Sequence, residues 1–246
     1  MSATEKLNPS SIIRPRASAY LTNATNSAAQ SSVYPTNNLS QGKKYANPGP
    51  LGLASFAATT FLLSLFNVQA QGVTTPNLIV GMALAYGGLI QLLAGMWEFA
   101  SGNTFGATAF SSYGAFWISF GFIFIPGTGI LQAYSAAGKN GQLENALALY
   151  LFTWFLFTFI MFLATLRSSL GLMVLFFFLD VTFLLLAIGS LMPHASSITK
   201  AGGIFGLITA MIAWYLAACG LLKAENSKIR LPNPSLRSSL PSEFMA

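Results

Sequence analysis

Between Leu51 and Leu222 the chain carries only six charged side chains, Glu98, Lys139, Glu144, Arg167, Asp180 and Lys200. In a soluble domain roughly a quarter of all residues are charged, so a stretch this bare has too little polar surface to face water. It divides into six apolar runs, at about 50–69, 78–100, 108–131, 146–166, 171–192 and 203–222. Each is close to the ~20 residues that an α-helix needs to cross a bilayer. The expected fold class is therefore an all-α membrane protein with six transmembrane helices. The connections are short, which predicts that consecutive helices are antiparallel neighbours.

The charges that remain set an orientation. With the N-terminus in the cytoplasm, the inside holds Lys6, Arg14, Arg16, Lys43, Lys44, Arg167, Lys223, Lys228, Arg230 and Arg237. The outside then holds Lys139 and Lys200. This imbalance predicts that both termini are cytoplasmic. The sequence pI near 9.6 could suggest nucleic acid, but the basic residues lie in tails and short loops beside apolar runs, which fits a membrane and no nucleic-acid partner.

Residues 1–46 are rich in Ser, Asn, Thr and Ala and cannot bury enough apolar surface to fold. They are expected to form a disordered cytoplasmic tail, followed by a six-helix domain over 47–222 and a second cytoplasmic tail over 223–246. The sequons at Asn23 and Asn38 would then go unused. No apolar h-region opens the chain. The single Cys219 and single His194 leave no disulfide within one chain and no multi-His metal site. Nothing resembles a nucleotide loop or a nucleophile elbow, so neither a cofactor nor an enzyme activity is expected.

The tail meets the first run at Asn47-Pro48-Gly49-Pro50-Leu51-Gly52-Leu53-Ala54-Ser55-Phe56. Proline suits a helix start, where its missing N–H would have no partner anyway, and Asn47 is a natural cap. The free N–H groups of that end form either a site for a small anion or plain helix punctuation.

Polar groups inside the runs are the candidate site residues. Thr104, Thr108 and Ser111 stand at i, i+4 and i+7 and share one helix face, with Ser112 and Tyr113 beside them. Hydroxyls can donate to a carboxylate without a fixed charge that would hold it too tightly. The alternative is that each hydroxyl bonds back to its own helix or to a neighbouring one. Run one adds Thr59, Thr60, Ser64 and Asn67. Run two adds Gln91, at membrane depth, and Glu98 near its end, which either reaches interfacial water or passes protons. Asp180 lies near the centre of run five, and no run carries a Lys or Arg to pair with it. It is either a proton-coupling site or a carboxyl hydrogen-bonded between helices. Small residues recur at Gly81, Ala85, Gly88 and Gly95, and at Gly202, Gly203, Gly206, Ala210 and Ala213. They let helix backbones approach closely.

Three blocks carry a family resemblance. The first is Asn47 to Leu53, close to NPxPLGL. The second runs from Gly102 through Thr108 to Trp117, and the third from Phe178 to Gly189. The chain resembles the acetate uptake transporters, also called the succinate–acetate permease family, and its long polar N-terminal tail looks like the fungal branch. The resemblance covers about residues 46–222. It implies six-helix protomers assembled as a hexamer in the plasma membrane. Each protomer would carry its own pathway for acetate and similar monocarboxylates, with proton coupling. It further implies a narrowing at Phe56, Tyr113 and Leu179, with Thr59, Gln91, Ser111 and Ser112 among the polar positions along the path. Asp180 departs from the bacterial pattern, which has a neutral residue there, and is not assigned to the pore. Export of another small solute such as ammonium, and a membrane sensor that works through its tail, are the alternatives.

Overall fold

The computed structural model describes residues 45–135, 142–192, 194, 196–223 and 225–236. The expectations for residues 1–44 and for Lys139 and Arg237 fall outside the described residues. Within the unit Tyr45–Ala246, the described residues form six long helices and one short one. They are α1 (Gly49–Asn67), α2 (Ile79–Ala100), α3 (Thr104–Ile123), the short α4 (Ile130–Ser135), α5 (Gln142–Thr165), α6 (Leu170–Leu191) and α7 (Ser196–Leu221). No strand occurs among the described residues, apart from one isolated antiparallel bridge between Ser169 and Ser235.

Five of these helices, α1, α2, α5, α6 and α7, are long and apolar enough to cross a membrane. α3 has 20 residues but is interrupted by Thr, Ser, Gly and Tyr, and it is less apolar than the others. Its boundaries also differ from the apolar run at 108–131. It starts earlier because Asn103 caps it, its side chain accepting from the Gly106 N–H at 3.1 Å. It stops at Ile123 because Pro126 disfavours helical backbone at the residue before it, and Ile125 is extended at φ −83° and ψ 117°.

α2 is not a uniform helix. Residues Ala85–Ile90 form a π-helical segment, which widens the turn and shifts every later side chain around the axis. The buried positions therefore advance as Ile79, Ala83, Gly87 and Gln91. Regular helical spacing grouped Gly81 and Ala85 with Gly88, but the structure leaves the first two exposed and buries only Gly88. The small residues of α7 behave as their spacing predicts: Gly202, Gly203, Gly206, Ala210 and Ala213 are all buried. A Cβ on Gly203 would stand 2.8 Å from Val68 Cγ1, and one on Gly206 would collide with Ser64 Oγ. α1 and α7 can pack this closely because these positions are glycine.

α5 meets α3 through long aromatic side chains. Tyr113 OH shares a hydrogen bond of 2.9 Å with Thr158 Oγ1, and Tyr150 OH donates to the Phe116 carbonyl at 3.1 Å. The ring centroids of Phe116 and Trp154 are 5.1 Å apart. This aromatic cluster, with Phe176 and Phe183 of α6, forms the centre of the fold.

The chain after α7 returns to the N-terminus of α6. The Leu170 N–H donates to the Pro234 carbonyl at 3.0 Å, and the Gly171 N–H donates to Asn233 Oδ1 at 3.1 Å. Tyr215 OH donates to the Pro232 carbonyl at 2.6 Å. Two otherwise orphaned N–H groups of the first turn of α6 are satisfied in this way.

Candidate functional site

Two cavities lie between the helices. The first, about 190 Å³, is walled by the N-terminal halves of α1, α3 and α6 and by the C-terminal half of α2. The second, about 160 Å³, is walled by the C-terminal halves of those same three helices and by the N-terminal ends of α5 and α7. α1, α3 and α6 therefore run one way, and α2, α5 and α7 run the other. Phe56 and Leu179 belong to both walls. They form the partition between the cavities, and Tyr113 closes the first cavity beside them.

The helix faces that make these walls are continuous. On α1, Leu53 and Phe56 face the first cavity, and Phe56, Thr60, Leu63, Ser64 and Asn67 face the second. On α6, Leu172, Leu175, Phe176 and Leu179 are followed by Thr182, Phe183, Leu186 and Ser190. Both series follow the three- and four-residue steps of one helical stripe. A single corridor thus runs along α1 and α6, interrupted where Phe56 meets Leu179. Phe56, Tyr113 and Leu179 are 5%, 2% and 3% exposed, so the interruption is packed shut. The rings of Phe56 and Tyr113 are 5.8 Å apart, and those of Tyr113 and Phe183 stack at 6.5 Å. The structure brings the three residues expected at the narrowing together.

The polar residues named from sequence are distributed differently. Gln91 lines the first cavity, is 1% exposed, and its Oε1 has no hydrogen-bond partner. Asn47 and Glu98 line the same cavity. Asn47 Oδ1 accepts from the Gly49 N–H at 3.0 Å. Glu98 Oε2 accepts from Asn103 Nδ2 at 2.7 Å. A Cβ on Gly49 would lie 3.1 Å from Asn47 Oδ1 and 3.5 Å from Glu98 Oε1. The N-terminus of α1 therefore already faces an amide oxygen and an acidic side chain.

Thr59, Thr104, Thr108, Ser111 and Ser112 line neither cavity. On α3 the first cavity is lined by Phe105, Gly106, Ala109, Phe110 and Tyr113, a set centred on Ala109 and Tyr113. At about 100° per residue this set lies on the side opposite Thr104, Thr108 and Ser111. The hydroxyl face turns instead toward α2, where a Cβ on Gly95 would meet the Ser111 backbone N at 2.7 Å. Thr59 Oγ1 donates to the Ser55 carbonyl at 2.9 Å, the back-bonding alternative, and its side chain packs on Gly87. The cavity walls are instead largely apolar, with Asn47, Gln91, Glu98 and Asn103 at the first and Thr60, Ser64, Asn67, Thr182, Ser190 and Thr199 at the second. Asp180 also lines neither cavity, and its Oδ1 is buried without a partner.

Asn103 was not a candidate from sequence. It caps α3 and holds Glu98 through the same side chain. An Asn immediately before a helix is the signal for the cap, but nothing local indicates its second partner.

The pattern described as the GPR1/FUN34/yaaH family matches residues 30–238. Ammonia transport outward protein 2 of Saccharomyces cerevisiae is 53% identical over 186 residues, covering 76% of this chain and 65% of that protein. Acetate permease A of Emericella nidulans is 47% identical over 199 residues, covering 78% of this chain and 67% of that protein. The chain thus spans about two thirds of the length of these relatives. Among solved structures, that of the bacterial acetate channel SatP superposes with a TM-score of 0.66 at 38% identity, covering 78% of this chain and 100% of that one.

Proposed function

The chain belongs to the GPR1/FUN34/yaaH family, and from that premise we propose that it transports acetate and related short monocarboxylates across a membrane. The observation that carries this reading is the corridor of two cavities sharing Phe56 and Leu179. The apolar wall accepts a methyl or short alkyl group. Neutral polar groups such as Gln91 replace the water of a carboxylate without trapping it.

In this proposal six helices span the bilayer. α3 makes the sixth because it runs alongside α1 and α6 through both cavities, shielded by its neighbours and so able to carry more polar residues. Residues 1–46 and 223–246 lie on the cytoplasmic side of a transport domain over 47–222. The first cavity then opens inward, at the end that carries Arg167 and Lys223. The plasma membrane and a hexamer of such protomers complete the reading. Glu98, in the first cavity, is the candidate for proton coupling. Asp180 is not, because it stands off the corridor.

Uptake of labelled acetate into liposomes holding the purified protein, with and without an inward proton gradient, tests the reading. The expected outcome is gradient-stimulated uptake that excess unlabelled acetate blocks. A second reading, export of ammonium, takes its support from the name of the Saccharomyces cerevisiae relative. Methylammonium flux without acetate flux would favour it and sink the first.

A further inference from the structure

We propose that the C-terminal segment, residues 225–236, lies in the headgroup layer of the bilayer and binds anionic lipid through Lys228 and Arg230, with Lys223 and Arg167 beside them. This contact requires that the chain cross a membrane, whatever solute it carries. One bond fixes the depth of the segment. Tyr215 OH donates to the Pro232 carbonyl at 2.6 Å, and Tyr215 stands six residues before the end of α7 at Leu221, about 9 Å back along the axis. The segment therefore folds back along α7 instead of leaving it for water. It does so on the outward face, because Ile204, Ile208, Met211 and Tyr215, at i, i+4, i+7 and i+11, are all exposed and form an apolar stripe free to meet lipid. Trp97 lies three residues before the end of α2, which runs the same way as α7. It is 53% exposed, and its ring is 5.6 Å from that of Tyr45. Exposed Tyr and Trp at one end of a membrane bundle mark the boundary between hydrocarbon and headgroups, and Pro232 meets Tyr215 there.

Ile229 is 61% exposed and stands between exposed Lys228 and Arg230. An isoleucine between two cations suits the interface, where it enters the acyl boundary while the long basic stems carry their charge to the phosphates. Residues 223–236 hold Lys223, Lys228 and Arg230 against one acid, Glu225. Exposed Arg167 adds a fourth cation next to Ser168, whose carbonyl accepts from the Leu236 N–H at 2.8 Å. None of the four cations is paired with an acidic side chain among the described residues. A second copy of the chain would bring the same positive rim to this face, so like charges would meet, whereas anionic lipid brings the opposite sign. This is also the end read above as cytoplasmic, the side where anionic lipids concentrate. Asn233 and Pro234 accept from the first turn of α6, so lipid that holds the segment down also holds those bonds.

The test uses the full chain, first in neutral detergent and then in nanodiscs. Native mass spectrometry compares its binding of phosphatidylglycerol and phosphatidylcholine. Wild type should prefer phosphatidylglycerol by about tenfold or more, since each basic side chain near an anionic surface contributes roughly fivefold. Lys228→Gln combined with Arg230→Gln should lose most of that preference. Lys200→Gln, at the other end of α7 and far beyond a screening length, should change it by less than about twofold. In nanodiscs, adding phosphatidylglycerol to phosphatidylcholine should slow hydrogen exchange at the Leu170 and Gly171 amides in wild type and not in the double variant. Equal binding of the two lipids, or a double variant that keeps the preference, would overturn the proposal. So would an equal loss in Lys200→Gln, which would reveal a response to net charge alone, and equal protection by soluble glycerol phosphate, which would reveal an anion site without a membrane contact. A double variant changed in oligomeric size and not in lipid preference would give the face to a second copy and overturn it as well. Acetate enters none of these measurements, so their failure and the failure of the transport reading are separate results.

Discussion

Leu179 shares the partition between the two cavities with Phe56, so its size helps set what the partition rejects. Leu179→Ala would join the chambers. Because the side chain already borders open space, the stability cost should fall near the low end for a buried leucine, about 2 kcal/mol. Uptake of butyrate relative to acetate should rise, which competition against labelled acetate in liposomes would measure. An unchanged ratio in inserted protein would remove Leu179 from the partition. This residue was legible in the sequence through its motif, as were Phe56 and Tyr113. The hydroxyls were not. A Ser or Thr on a helix can donate to its own backbone, as Thr59 does to Ser55, so a row of them does not mark a polar path.

Asn103 and the π segment of α2 are devices of elements. Asn103→Ala would free the first turn of α3 and release Glu98 at once. The loss should be about 1–2 kcal/mol, as for other helix caps, read as a lower melting temperature of the detergent-solubilised protein. Faster hydrogen exchange at Phe105, Gly106 and Ala107 should accompany it. The π segment aims Gln91. Deleting the exposed Leu89 would shorten the segment by one residue and turn Gln91 by about 100° relative to the residues before the segment. The expected outcome is an inserted protein with little acetate uptake, and normal uptake would show that Gln91 is dispensable. α2 was legible as an apolar run and its inward face was not, because periodicity assumes one pitch throughout.

Across the whole molecule, the transport reading assigns the conduction path to residues 47–222. Deleting residues 1–44 should leave acetate KM and rate within about twofold of the intact chain, since the described corridor walls are built from Asn47 onward. Loss of uptake in protein that still inserts would favour a tail-dependent sensor or regulator. The C-terminal segment has a different standing, because Asn233 and Pro234 hold the N-terminus of α6, two residues before Leu172 enters the cavity wall. The sequence alone determined that the chain builds apolar helices, because length and hydropathy act locally, although α3 ends eight residues before its apolar run does and α7 starts seven residues before its own. It also determined that the small residues of α7 share a face on which a neighbour can approach closely, and the tertiary structure decided that this neighbour is α1. Only the tertiary structure decided which face of α3 meets the cavities, that a wide turn redirects α2, and that the chain after α7 returns to α6. Those outcomes depend on side chains far apart in sequence competing for one interior, where a helix turns toward whichever neighbours pack best against it.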